Sequence, residues 1–90
     1  MKKVIITVVG KDSVGIIAKV CTYLAGAKVN ILDISQTIVQ GYFNMMMVVD
    51  TASSTEDFGN MYDALTALGE EMGCVIHAQR EEIFDKMHRL

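Results

Sequence analysis

Residues 4–9 read Val-Ile-Ile-Thr-Val-Val, β-branched without a break. Such side chains are stiff at χ1 and pack well on a pleated surface. The run is apolar at both parities, so the strand it predicts is central and covered on both faces. That is a severe demand on 90 residues, which suffice for one two-layer core and little more. The remainder of the chain has to supply a sheet around this strand and a cover for each side of it.

Directly after it, Gly10-Lys11-Asp12-Ser13-Val14-Gly15-Ile16 breaks the pattern. Ile17, Val20, Cys21 and Leu24 then fall at i, i+3, i+4 and i+7, one stripe of a helix. Asp12 and Ser13 are both suitable N-caps, and Gly26, with Lys28 just beyond, stops the helix. The two glycines leave the loop free to take positive φ or to approach a ligand closely. The helix points its first N–H groups back at the loop and favours an anionic group there, such as a carboxylate. If the chain binds a small molecule, this loop is where it is expected.

Residues 29–40 predict a second strand. Leu32, Ile34 and Ile38 share one parity, and Ile31, Asp33, Ser35, Thr37 and Val39 the other. Asn30 opens it, beside the start of the first strand. Gln40-Gly41 is a turn signal leading to a third strand, Tyr42 to Asp50, and hence a hairpin. Met45 and Met47 go to one of its faces and Met46 to the other. Copper binding through that run is set aside, because no array of thioethers, His or Cys accompanies it. Ser53 with Glu56, or Ser54 with Asp57, matches a capping box. A second helix carries Phe58, Met61, Tyr62, Leu65, Leu68 and Met72, with Gly69 inside it and Gly73 at its end. A fourth strand runs from Cys74 to Arg80. Beyond residues 1–82 lies an amphipathic tail, 83–90, with Ile83, Phe84, Met87 and Leu90 on one helical face. It folds onto its own sheet, the preferred reading, or docks on a partner subunit.

The order strand, helix, strand, strand, helix, strand makes two βαβ-type halves joined by a hairpin. The economical packing is α+β and ferredoxin-like: one four-stranded antiparallel sheet, two helices on one face, and a short C-terminal helix. Two helices cover only one face, so the other, still apolar, is expected to meet a second copy of the chain, the C-terminal helix, or both.

Chemistry is sparse. His77 and His88 are paired with no nucleophile, Ser13 has no base, and a loop Asp12 beside a helix start is a stabilised anion and a weak base. Cys21 and Cys74 each fall on an apolar face and suggest two buried free thiols, without a metal-ligand spacing. No enzyme, metal site or cofactor is expected. A net charge of −3 and the absence of a basic cluster argue against nucleic acid. No apolar run reaches the ~18 residues of a membrane span, and a cytoplasmic protein is expected. Gly-x-x-x-x-Gly followed by Ile-Ile is neither a phosphate loop nor a dinucleotide fingerprint. An acylphosphatase-like site lacks its loop arginine, and an RNA-binding sheet lacks its aromatic platform.

On this topology the residues resemble the ACT domain family. Val8-Val9-Gly10-Lys11-Asp12-Ser13-Val14-Gly15-Ile16 looks like its first strand and Asp-x-x-Gly-Ile/Leu turn, Val29-Asn30-Ile31 like its second-strand opening, and Gly41-Tyr42-Phe43 with Val48-Val49-Asp50 like its hairpin. The match spans about residues 1–80 and is similar to the short, free-standing prokaryotic ACT proteins related to the N-terminal module of the glycine cleavage system repressor. One departure is Ser13-Val14, where many members have Arg-Pro, which leaves this loop less stiff. The resemblance implies a regulatory module that holds an amino acid at a homodimer interface. Gly10, Lys11, Asp12, Ser13, Val14, Gly15 and Ile16 would line it from the loop, and Asn30 and Ile31 from the second strand. The alternative is a protein that docks on an enzyme or transcription factor without a ligand.

Overall fold

The computed structural model describes residues 2–11 and 13–81. The elements are β1 (Lys3–Gly10), α1 (Ser13–Gly26), β2 (Asn30–Val39), β3 (Tyr42–Asp50), α2 (Phe58–Met72) and β4 (Val75–Arg80). The sheet order is β2-β3-β1-β4, antiparallel throughout, the ferredoxin-like arrangement expected from the sequence. The expected C-terminal helix lies outside the described residues.

β1 is central, as its β-branching demands. Val4, Ile6 and Val8 point to the helices with Phe43, Met45, Met47 and Val49 of β3. They meet Ile16, Val20 and Leu24 of α1 and Met61 and Leu65 of α2, and all of these side chains are buried. The methionine run splits by parity: Met45 and Met47 are in the core and Met46 is 40% exposed.

β2 departs from simple alternation. Its register against β3 shifts between Ile31 and Asp33, so Leu32 is a bulge and the parity changes there. Ile31, opposite Val49, now shares a face with Ile34 and Ile38, opposite Met47 and Phe43. The sequence alternation had put Ile31 on the other face, because it could not count the extra residue.

The helix ends are defined by hydrogen bonds. α1 closes with Lys28 N–H on Ala25 O at 3.1 Å and Val29 N–H on Leu24 O at 2.9 Å. This is a Schellman closure whose left-handed residue is Lys28, at φ 59°, and not Gly26. Gly73, at φ 70°, closes α2 in the same way, with Cys74 N–H on Gly69 O at 2.9 Å. At the start of α2, Asp57 accepts from Asn60 N–H at 2.7 Å and is the cap. Ser54 instead makes a local turn, its hydroxyl accepting from Glu56 N–H at 3.0 Å.

Candidate functional site

Gly10 ends β1 opposite Phe43, and the chain crosses to α1 within a few residues. A Cβ at Gly10 would stand 2.7 Å from Cys74 Cβ and 2.8 Å from Ile16 Cδ1. The glycine is thus required by close packing between α1 and the start of β4. It does not take positive φ; the glycines that do are Gly41 and Gly73. Lys11 is exposed and lays its ammonium 5.6 Å from the centre of the Tyr42 ring. Asp12 lies outside the described residues. Ser13, Val14, Gly15 and Ile16 form the first turn of α1, whose N–H groups face the end of β1. Ile16 is 1% exposed, its side chain in the core, so what it can offer a ligand is backbone.

Asn30 is the exposed first residue of β2, opposite Asp50, and Ile31 beside it is half-buried against the core. Asp50 in turn faces Lys3, at the start of β1. Asn30 therefore lies at the end of the sheet where β1 begins, and the glycine loop at the end where β1 stops. From Lys3 to Gly10 is seven strand steps of about 3.4 Å, roughly 24 Å. One chain does not bring the two halves of the expected site together.

The Asn30 end has a cleft of its own, of about 860 Å³, which the sequence did not signal. Lys2, Lys3 and Arg80 stand around it with Glu56, Asp57 and Glu81. These charges come from three stretches far apart in the chain, two of which the β1–β4 pairing brings together. The Arg80 guanidinium rests 4.9 Å from the Phe58 ring centre, and Lys3 Nζ is 3.8 Å from Glu81 Oε2. Asp50 accepts from Ala52 N–H at 3.0 Å and Lys2 N–H at 3.2 Å. The Ala52 bond foremost holds its carboxyl below the usual range against the opposing effect of desolvation, with the Lys2 bond and the nearby amino groups adding to it.

The other chemistry-bearing side chains are dispersed. His77 is exposed on the edge strand β4, its ring edge-on to Tyr62 of α2 at 5.9 Å. Cys21 and Cys74 are free, half-buried thiols packed against the core, and burial pushes the Cys74 thiol up. Burial, then the nearby Glu56, raises the Tyr23 phenol, whose buried hydroxyl has no hydrogen-bond partner among the described residues. No group of three metal-ligating side chains occurs among the described residues. Nor is any described helix long and apolar enough to cross a membrane.

Comparison with known proteins bears on this arrangement. The profile of the ACT domain matches residues 2–79. A UPF0237 protein of Bifidobacterium longum is 63% identical over 90 residues, covering all of both chains. A solved ACT domain protein from Streptococcus pneumoniae superposes with a TM-score of 0.81 at 42% identity, over 93% of this chain and 94% of that one. A chain described as a candidate glycine cleavage system transcriptional repressor superposes with a TM-score of 0.73 at 24% identity, over 88% of this chain and 45% of that one. That last likeness is one of fold.

Proposed function

Because the chain belongs to the ACT domain family, whose members are regulatory and typically bind amino acids, we infer that it is a non-catalytic regulatory module that binds an amino acid as a homodimer. The observation that carries this reading is the separation of the glycine loop from Asn30, at opposite ends of one sheet. A second chain paired about a two-fold axis perpendicular to the strands would run antiparallel to the first, and its own start of β2 would then come to the end where this chain's loop lies. β2 suits such a pairing. It is an edge strand of ten residues that carries Leu32, Ile34, Ile38 and Val39 between 40% and 74% exposed. It holds none of the Lys or Pro residues that blunt free edges.

The chemistry matches an α-amino acid. Its carboxylate would meet the first turn of α1, its ammonium would meet Asp12 or loop carbonyls, and Asn30 offers both a donor and an acceptor. The ligand state would then be read by an enzyme or transcription factor. Free Cys21 and Cys74 suit a reducing compartment, and we place the protein in the cytoplasm.

Titration calorimetry and thermal shift against the twenty amino acids test this. The expected result is heat and a raised melting temperature for at least one of them. Gly15→Leu, in the first turn of α1, is expected to abolish the response. Silence toward all twenty overturns the reading and leaves docking without a ligand in its place.

A further inference from the structure

Close packing contacts run in series from the end of α2 to the glycine loop. A Cβ on Gly69 would lie 2.9 Å from Cys74 O and 3.2 Å from Ile76 N, so the last turns of α2 rest directly on the backbone that opens β4. Cys74 N–H donates to Gly69 O at 2.9 Å and fastens the same two segments. The Cys74 side chain in turn meets Gly10, where an added Cβ would stand 2.7 Å from Cys74 Cβ and 2.8 Å from Ile16 Cδ1. Cys74 and Ile16 therefore close over Gly10 together, and Ile16, in the first turn of α1, is 1% exposed.

Gly10 and Ile16 are the two ends of the stretch that carries the candidate loop, so this packing sets both of them. Neither glycine has room for a methyl group. Interiors packed in this way have low compressibility, and a displacement at one member is passed to the next. The atom of Cys74 that makes the contact is its Cβ, so the thiol is not what the arrangement needs.

We propose that Cys74 is a positioning residue for the amino-acid site: its Cβ, wedged against Gly10, holds the end of β1 and the first turn of α1 at the spacing a bound amino acid requires, and couples that spacing to the end of α2. This rests on the reading of the loop as half of an amino-acid site. Coupling between two places is reciprocal. Filling the site shifts the corner between α2 and β4, and displacing that corner weakens the site.

Amide-resolved NMR spectra of the full chain, titrated with each of the twenty amino acids, test this together with calorimetry on variants. In the wild type the Gly69 amide is expected to shift along with the loop amides, at the same midpoint. Cys74→Gly removes the wedge and is expected to weaken binding roughly tenfold, while Cys74→Ala keeps the Cβ and is expected to bind as the wild type does. Gly69→Ala presses on Cys74 O and is expected to weaken binding by a similar factor. Asp57→Ala loses the cap at the other end of α2, lowering stability without touching the series, and is expected to keep its affinity. Loop shifts without a Gly69 shift overturn the proposal and leave the amino-acid reading intact, as does a Cys74→Gly protein that binds like the wild type. An equal loss in Cys74→Ala or in Asp57→Ala also overturns it, since neither removes the wedge. No response at any amide overturns the amino-acid reading and the proposal with it. The wild-type spectra decide the matter even if Cys74→Gly fails to fold.

Discussion

Gly10 shows how a residue's role can differ from the one its type suggests. Its hydrogen side chain allows β1 to end against Cys74 and Ile16, and the flanking atoms leave no room for a methyl group. Gly10→Ala is expected to cost about 1–3 kcal/mol by overpacking, measured by urea denaturation. Lys28 is the reverse case, a side chain held in the left-handed region at φ 59°. Lys28→Gly relieves that strain and is offset in part by greater freedom of the unfolded chain, so a gain of about 0.5–1 kcal/mol is expected in the same assay. Asp50 ties the start of β1 to the loop after β3, and its pKa is lowered in the folded state. The stabilisation it gives is present above the unfolded carboxylate value and is lost as pH falls through the folded one. Asp50→Asn is therefore expected to lower the melting temperature at pH 7 and to narrow the gap between melts at pH 7 and pH 3.

At the scale of elements, the second helix sets propensity against packing. Gly69 sits inside α2, where alanine would be favoured by about 1 kcal/mol. A Cβ there would lie 2.9 Å from Cys74 O and 3.2 Å from Ile76 N, both backbone atoms. Backbone cannot swing aside, so packing is expected to win. Gly69→Ala should destabilise by about 1–2 kcal/mol in thermal or urea melts, where propensity alone predicts a gain. The order of elements was legible because period and punctuation agree along the chain: β-branched runs, the Gln40-Gly41 turn, the stripe from Phe58 to Met72. The ends of elements were legible only where the signal is local and unambiguous, as at Gly73. Gly26 does end α1, but the hydrogen bonds that close it turn around Lys28, two residues later. The sequence offered Ser53 or Ser54 as the cap of α2, but the cap is Asp57, because Ser54 is taken up in the preceding turn. The bulge at Leu32 leaves no mark in a pattern of alternation, so the faces of β2 could not be assigned.

For the whole molecule, the loop and the opening of β2 were each readable as candidates, but their separation was not. It depends on the β1–β3–β2 pairing, a long-range property that no local spacing encodes. If β2 joins two chains, Ile38→Lys should leave the fold unchanged, since Ile38 is 74% exposed in one chain. It should nonetheless convert the dimer to monomer in light scattering, and abolish amino-acid binding with it. A last consequence concerns how such a domain is built into larger proteins. The Lys3–Glu81 contact puts the beginning of the first strand beside the end of the last. A unit whose two ends meet can be placed in a longer polypeptide by a short link, without stretching its sheet. The fold is found in that setting: a formyltetrahydrofolate deformylase from Pseudomonas syringae superposes on 89% of this chain, with a TM-score of 0.79, using only 28% of its own length. Adjacent strand ends make this arrangement of strands and helices usable as one module among several.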